Sequence, residues 1–212
     1  MKQGFFVTGT DTEVGKTVVS AALLCALRAQ QNKVCYWKPI QTGIEADDDT
    51  KTVRILADCT DAEIFDVGYR LFKPLSPHLS ARLGGVSIKL GEIIALFEKA
   101  SNDSVWVVEG AGGALVPLNE TELMIDLMVK INLPVIVAAR SGLGTINHTL
   151  LTVQALRERN LKIAGVVMNG ESNSENRRAI EHYGAVKVLG ELPPIKNLNF
   201  ANLNNWAQNL PL

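Results

Sequence analysis

Two kinds of hydrophobic pattern alternate along the chain. Short runs such as 105–108 and 135–137 are continuously apolar and β-branched or aromatic, which is typical of strands covered on both faces of a sheet. Between them lie longer segments in which apolar residues recur every three or four positions, as on one face of a helix. The predicted strands are 4–8, 33–37, 104–109, 134–139, 162–168 and 186–192. The predicted helices are 17–30, 49–59, 78–83, 90–100, 123–131, 145–159 and 174–183.

This alternation predicts an α/β fold with a mostly parallel central sheet and helices on both faces. A length of 212 residues suits one domain, and no stretch rich in Pro, Gly or Ser marks a boundary, so 1–212 is predicted to be a single domain. Open parallel sheets bind ligands at the carboxyl ends of their strands. Functional residues are therefore expected directly after the predicted strands.

Composition narrows the classes of partner. Lys and Arg number 21 against 22 for Asp and Glu, a net charge of −1 that indicates neither a nucleic-acid nor an acidic-membrane partner. The N-terminus leads directly into a predicted strand, without room for a signal peptide, and no apolar stretch has membrane-spanning length. Cys25, Cys35 and Cys59 lack C-x-x-C spacing, and the first two occupy apolar positions. Buried free thiols and a cytoplasmic location are therefore expected.

A glycine-containing segment joins the first predicted strand to the first predicted helix. It runs from Gly9 to Gly15 and continues into Lys16 and Thr17. In this setting glycine lets backbone amides converge on a phosphate, the lysine reaches the β- and γ-phosphates, and the threonine hydroxyl can hold Mg²⁺. Five residues separate the two glycines instead of the usual four, and Thr10 stands where the first glycine would be. The segment therefore predicts a variant nucleotide-binding loop.

Two charged residues follow other predicted strands. A lone lysine at a strand end, such as Lys38, is more often solvated, but a sheet edge shared with the phosphate loop favours an anion-binding role. Glu109 closes a very apolar strand and precedes the glycine-rich segment 110–113, where a carboxylate can hold Mg²⁺ directly or through water. The alternative for 110–113 is a simple turn beside a solvated glutamate, which the apolar strand disfavours.

Two further segments allow more than one interpretation. Asp47, Asp48 and Asp49 precede a predicted helix and are typical of a solvated loop with one N-cap, so the run alone assigns no metal role. Segment 141–148 starts a helix after the fourth predicted strand. It fits a helix start that binds a carboxylate or phosphate and, equally, a glycine turn with Thr145 as N-cap.

Taken together, these segments resemble the dethiobiotin synthetases, ATP-dependent enzymes of biotin biosynthesis in the P-loop NTPase superfamily. The resemblance runs in order from about residue 4 to residue 195, and the longer phosphate loop is the family's own form. It implies a single-domain P-loop NTPase fold and a homodimer whose second subunit helps to bind the substrate. The matching segments are 7–17, 38–43, 76–78, 108–113 with 117–118, 144–148, Asn169 and 190–193.

The resemblance implies a specific reaction. One amine of 7,8-diaminononanoate combines with CO₂ to give a carbamate, which receives the γ-phosphoryl group of ATP. The second amine then closes a cyclic urea and releases phosphate. Phosphoryl transfer of this kind requires mainly positioning and charge neutralisation from the protein.

The resemblance also implies roles for individual residues. Lys16 and Lys38 would be the catalytic residues at the transferring phosphoryl group, and Mg²⁺ would be held by Thr17, Glu109 and Asp49, the last because 49–53 fits the family's helix-start pattern. The implied ATP-binding residues are Glu13, Val14, Gly15, Lys16, Thr17, Val18, Asp49, Glu109, Gly110, Ala111, Gly112, Asn169, Gly170, Pro193, Pro194 and Ile195. The implied substrate-binding residues are Thr12, Lys38, Thr42, Gly144 and Asn147.

Other functions of the same superfamily fit the sequence less well. Amide-forming synthases of the cobyrinate type usually carry a glutaminase region in a longer chain, and this chain has no nucleophilic Cys–His pairing. Partitioning-type ATPases carry a signature lysine where Asp11 stands here, and they often have a basic or amphipathic membrane element. A nucleotide-binding module without catalysis is disfavoured because Lys16, Thr17, Lys38 and Glu109 are all present.

Overall fold

The computed structural model describes residues 2–212. Within them six strands form one sheet in the order β2-β5-β1-β6-β7-β8, and every neighbouring pair is parallel. The predicted parallel α/β architecture is therefore confirmed. The strands in chain order are β1 (Gln3–Gly9), β2 (Val34–Trp37), β3 (Ile40–Thr42), β4 (Tyr69–Leu71), β5 (Val105–Gly113), β6 (Val135–Arg140), β7 (Ile163–Asn169) and β8 (Val188–Leu192).

The seven predicted helices are present, with ends that differ from the prediction by a few residues at most. A short 3₁₀ helix (Asp61–Glu63) and the last α-helix were not predicted. The α-helices are α1 (Lys16–Ala29), α2 (Asp49–Leu56), α3 (Pro77–Leu83), α4 (Leu90–Lys99), α5 (Met124–Ile131), α6 (Thr145–Glu158), α7 (Ser174–Gly184) and α8 (Phe200–Ala207).

The sheet is buried on both faces, which explains its continuously apolar strands. In β6, Val135 and Val137 pack into one hydrophobic cluster together with α5, whereas Ile136 and Ala138 pack into a second cluster together with α1 and α8. Successive side chains of a strand point to opposite faces, so a strand between two helical layers needs apolar residues at every position.

A second, two-stranded parallel sheet is formed by β3 and β4, with Ile40 opposite Tyr69. Neither strand was predicted, because three residues are too few to show a period. Gly68 allows the close approach of the two segments: its φ is 131°, and a Cβ atom there would lie 2.3 Å from the Pro39 carbonyl oxygen. This small sheet carries Thr42 at the end of β3.

The cysteines bear out the expectation of buried thiols. Cys25 and Cys35 are buried and free, and Cys59 is half-buried. Burial raises the pKa of Cys25 to about 11 and that of Cys35 to about 12, so both remain protonated and unreactive near neutral pH.

Candidate functional site

The loop between β1 and α1 depends on glycine at both ends. Gly15 is the N-cap of α1 with a φ of 89°, and a Cβ atom there would lie 1.9 Å from the side-chain amide nitrogen of Asn169. A Cβ atom at Gly9 would lie 2.7 Å from the Asp11 carbonyl oxygen and 3.0 Å from Lys16 Nζ. The left-handed backbone favours glycine at position 15, and the close approach of the Asp11 carbonyl oxygen favours it at position 9.

Lys16 begins α1 and curls back over this loop. Its Nζ donates to the Asp11 carbonyl oxygen at 2.9 Å, and the side chain is buried. Burial, and then the charge on Lys38, lowers the pKa of Lys16 below its ordinary value. An anion that enters the loop would therefore stabilise the charged form of Lys16.

Four side chains, from α1, α2, β5 and the connection that follows β2, meet beside this loop. Thr17 Oγ1 donates to Asp49 Oδ1 at 2.6 Å and lies 3.1 Å from Glu109 Oε1. Lys38 Nζ lies 2.6 Å from Asp49 Oδ2 and 2.8 Å from Glu109 Oε1, and it also donates to the Gly110 carbonyl oxygen at 3.1 Å. A hydroxyl, two carboxylates and an ammonium group therefore form one contiguous polar cluster.

The charge states of this cluster follow from its pairing. Burial alone would lower the pKa of Lys38, but the charges of Glu109 and Asp49 raise it above its ordinary value. Burial would likewise raise the pKa of Asp49, but the charge and hydrogen bond of Lys38, with the hydrogen bond of Thr17, lower it overall. Both groups are therefore ionised near neutral pH.

Glu109 lies within a strand rather than at its end. β5 continues through the glycines to Gly113, which pairs with Gly9 of β1. The alternative interpretation of 110–113 as a simple turn is therefore wrong. Residues 110–112 have no bulky side chain, so the strand can pass beside the phosphate loop with its backbone close to a ligand.

The three consecutive aspartates have different environments. Asp48 is the N-cap of α2, where its Oδ1 accepts from the Lys51 amide at 3.1 Å, and Asp47 is exposed. Asp49 is the first residue of α2, and its carboxylate reaches Thr17 and Lys38. The structure therefore brings the predicted acid, Asp49, into the cluster and leaves its two neighbours outside.

Segment 141–148 starts α6 at the same sheet edge as the phosphate loop. Gly144, with a φ of 91°, is the N-cap, and Thr145 Oγ1 donates to the Arg140 carbonyl oxygen at 2.5 Å, so the interpretation of Thr145 as N-cap is wrong. Arg140 in turn lies 2.6 Å from Asp11 Oδ2 in the phosphate loop. Asn147 is exposed on the first turn of α6.

The remaining predicted ligand residues line the same edge. Asn169 ends β7, its side chain lies 3.4 Å from the Val14 carbonyl oxygen, and the Gly170 amide donates to the Leu192 carbonyl oxygen at 2.9 Å. Pro193 and Pro194 are exposed and Ile195 is half-buried. Glu13, Val18 and Thr12 belong to the phosphate loop or the first turn of α1. Within the described residues, the Thr42 hydroxyl makes no hydrogen bond to the polar cluster.

Sequence reasoning missed Tyr36, whose hydroxyl donates to Glu109 Oε2 at 3.0 Å. Burial, and then the charge of Glu109, raises the pKa of Tyr36 well above its ordinary value, so the hydroxyl stays protonated. A tyrosine in an apolar strand gives no signal of its own, since the pairing depends on which strand lies beside it.

The fold and this loop define a P-loop nucleotide-binding protein. A solved ParA family ATPase from Chlorobium tepidum shares the fold, with a TM-score of 0.60 and 9% sequence identity over 97% of this chain and 98% of that one. A family profile described as an AAA domain matches residues 3–202. No described helix is long and apolar enough to cross a membrane.

Sequence comparison narrows the class to one family. The chain is 49% identical to the ATP-dependent dethiobiotin synthetase BioD of Paramagnetospirillum magneticum over 95% of its own length and 93% of that protein. It is 46% identical to the enzyme of the same name from Agrobacterium fabrum, over 93% of this chain and 89% of that one. The chain belongs to the ATP-dependent dethiobiotin synthetase family.

Proposed function

We propose that the chain, acting as one catalytic domain in the cytoplasm, converts 7,8-diaminononanoate, CO₂ and ATP into dethiobiotin, ADP and phosphate. The observation that carries this proposal is the buried Lys38 ammonium between Asp49 and Glu109, directly beside the phosphate-loop residue Thr17. This arrangement supplies a fixed positive charge next to two carboxylates at a nucleotide-phosphate site.

The reaction has three bond-forming steps. An amine of the substrate attacks CO₂ and loses a proton, which gives a carbamate. A carbamate oxygen attacks the γ-phosphorus of ATP and ADP leaves, which gives a carbamic–phosphoric anhydride. The second amine attacks the carbonyl carbon, phosphate leaves with the electron pair of the C–O bond, and loss of the amine proton completes the five-membered urea.

Lys16 and Lys38 would supply the positive charge that phosphoryl transfer, the second step, requires. A transferring phosphoryl group spreads negative charge over its oxygens, and preorganised cations stabilise that charge without reorganising. Lys38 is held by Asp49, Glu109 and the Gly110 carbonyl oxygen, so its position is set before the substrate arrives. Lys16 is held by the Asp11 carbonyl oxygen alone within the described residues, which leaves it free to turn toward a phosphate.

Thr17, Asp49 and Glu109 fit Mg²⁺ bound together with a nucleotide. The Thr17 hydroxyl lies within hydrogen-bond distance of one oxygen of each carboxylate, and Mg²⁺ prefers one or two carboxylates combined with substrate phosphates. Within residues 2–212 no group of three or more His, Cys, Asp or Glu side chains could hold a metal by itself, which agrees with a site completed by phosphate. When bound there, Mg²⁺ would neutralise charge on the β- and γ-phosphates.

The diamine would bind along Lys38, Thr42 and Thr12, with its carboxylate tail at the α6 start of a second subunit, where Gly144 and Asn147 offer a backbone and a side-chain donor. A homodimer is supported by two exposed leucines, Leu143 in the turn before α6 and Leu151 in the middle of that helix. An interface on this face of the chain would cover both side chains.

The nucleotide would lie across the phosphate loop, with Glu13, Val14, Gly15 and Val18 along the phosphates. Gly110, Ala111 and Gly112 would approach it through their backbone. The base would border Asn169 and Gly170 on one side and Pro193, Pro194 and Ile195 on the other, because β7 and β8 end side by side there.

The test is incubation with 7,8-diaminononanoate, bicarbonate and Mg-ATP, followed by mass detection of dethiobiotin. We expect product with the mass of the substrate plus one CO₂ less one water, together with one ADP per product. ATP hydrolysis without dethiobiotin would contradict the proposal and favour a nucleotide switch. Omission of bicarbonate, with CO₂-free buffer, is the matched control.

A further inference from the structure

The two oxygens of Glu109 have different hydrogen-bond partners. Oε1 lies 2.8 Å from Lys38 Nζ and 3.1 Å from Thr17 Oγ1, whereas Oε2 accepts from the Tyr36 hydroxyl at 3.0 Å. The Tyr36 and Glu109 side chains are both fully buried. Oε1 therefore contacts the polar cluster, whereas Oε2 is held by the Tyr36 hydroxyl.

The sheet register explains why Tyr36 reaches Glu109. In the β2–β5 pair, Tyr36 is opposite Val107. Residues two apart in a strand face the same side of the sheet, so Tyr36, Val107 and Glu109 share one face. Tyr36 is thus diagonal to Glu109, at a distance that a long side chain can span.

The hydroxyl of Tyr36 has no other explanation in its surroundings. The ring packs in the apolar cluster that contains Leu23, Leu24, Val53 and Val107. A phenylalanine would suit these neighbours without needing a partner, whereas a buried hydroxyl needs one. Glu109 is its hydrogen-bond partner among the described residues.

We propose that Tyr36 is a positioning residue that fixes the Glu109 carboxylate so that Oε1 is directed toward the nucleotide-bound Mg²⁺. The terminal torsion of a glutamate is broad and has no strongly preferred angle of its own. The Tyr36 hydroxyl selects one angle by holding Oε2, in the way that outer partners of a metal ligand orient it. This inference rests on the proposed place of Mg²⁺ at Thr17, Asp49 and Glu109.

The test deletes only the hydroxyl, with Tyr36→Phe. Binding of the ATP analogue AMP-PNP is measured by calorimetry, first in EDTA and then at stepped Mg²⁺ concentrations. We expect unchanged affinity in EDTA and a midpoint of the Mg²⁺ dependence raised about tenfold. In turnover assays the half-saturating Mg²⁺ concentration should rise, while kcat at saturating Mg²⁺ changes much less.

Tyr69→Phe is the matched control, because the Tyr69 hydroxyl donates to Glu92 Oε2 at 2.7 Å outside this site. It should leave the Mg²⁺ midpoint unchanged. Replacement of Tyr36 by p-aminophenylalanine restores a donor at the same place and should restore the midpoint. If Tyr36→Phe folds poorly, the Mg²⁺ midpoint is measured on the p-aminophenylalanine variant, where it should equal that of the wild type.

Two results would overturn the inference. One is a Tyr36→Phe midpoint equal to that of Tyr69→Phe. The other is an equal loss of AMP-PNP affinity with and without Mg²⁺, because that would indicate a general loss of structure. The readout does not depend on the diamine, so a chain that forms no dethiobiotin can still show the Mg²⁺ effect.

Discussion

Lys38 and Glu109 form an ion pair that is shielded from solvent: Nζ lies 2.8 Å from Oε1, and the side chains are 3% and 0% exposed. Removing two charges from water is costly, and their attraction offsets this cost only when the geometry is good and further hydrogen bonds complete it. Here Asp49, the Gly110 carbonyl oxygen and Tyr36 provide those bonds. The charges of the pair are therefore held in place before any ligand binds.

The first prediction concerns Lys38. Lys38→Ala should lower dethiobiotin formation by at least about 10²-fold, since one preorganised donor at a developing charge is worth about that much. ATP binding should largely survive, because Lys16 and the loop amides remain. Steady-state turnover and calorimetric binding measure the two effects.

Folding needs its own control in that experiment. Loss of one member of a buried pair typically destabilises a protein by about 3–5 kcal/mol, so the Tm of Lys38→Ala should fall as well. Lys89→Ala removes an exposed lysine that pairs with Glu92 and should leave turnover unchanged. Normal dethiobiotin formation by Lys38→Ala would remove Lys38 from the mechanism.

The second prediction separates the neighbouring aspartates. Asp49→Asn should raise the Mg²⁺ concentration needed for half-maximal turnover, because it removes a carboxylate charge next to Thr17 and Lys38. Asp47→Asn, an exposed change two residues away, should not. Equal shifts in the two variants would mean that Asp49 is not the acid at the metal.

The third prediction concerns acid stability. The pKa of Asp49 is lower in the folded protein than its ordinary value of 3.8, so the folded state binds fewer protons there. The resulting stabilisation is present above the unfolded pKa and is lost as pH falls through the folded pKa. In urea unfolding, wild type should be more stable than Asp49→Asn near pH 7, and the difference should shrink below about pH 4.

The pKa of Lys38 is shifted in the opposite direction from that of Asp49, and this shift affects stability at alkaline pH. Its folded pKa is raised above the ordinary 10.5, so its stabilisation is present below the unfolded pKa and is lost as pH rises through the folded pKa.

Asp47→Asn serves as the control for the acid-stability experiment on Asp49, since Asp47 forms no ion pair within residues 2–212. A constant difference between wild type and Asp49→Asn from pH 7 to pH 3 would contradict the prediction.

The fourth prediction tests the dimer. Leu143 is fully exposed in the single chain, beside the helix start that would bind the partner's substrate. Leu143→Glu should convert a dimer to a monomer in sedimentation velocity and reduce turnover, because a charge would be buried at the interface. Leu83→Glu, on α3 and also exposed, should remain dimeric and active. A monomeric, active wild-type chain would exclude the interface site.

The sequence predicted correctly that several chemically distinctive residues lie at one edge of the sheet. The loop at 9–17, Lys38 and Glu109 all come after or within apolar strands, and parallel strands bring their carboxyl ends to one edge. Asp49 was a harder case, because three identical residues adjoin. Only the family pattern selected it, and the structure adds the reason: the side chain of Asp48 is already used as the N-cap of α2.

Other features depend on contacts that a single sequence does not encode locally. Tyr36 resembles any core residue of a strand until β2 is known to lie beside β5. β3 and β4 are too short to show a period, although they carry Thr42. The helix α8 did leave a pattern, in which Leu203 and Ala207 are buried four residues apart, but the asparagine-rich context obscured it.

The pairing of β2 with β5 also determines when the enzyme becomes competent during folding. Lys38 and Glu109 are 71 positions apart in the chain, and Thr17 and Glu109 are 92 apart. Contacts of such long range form late, since closing a long loop costs entropy before the contacts exist, whereas α1 and α2 can form from local contacts. The polar cluster of Thr17, Lys38, Asp49 and Glu109 is therefore complete only after β2 has paired with β5.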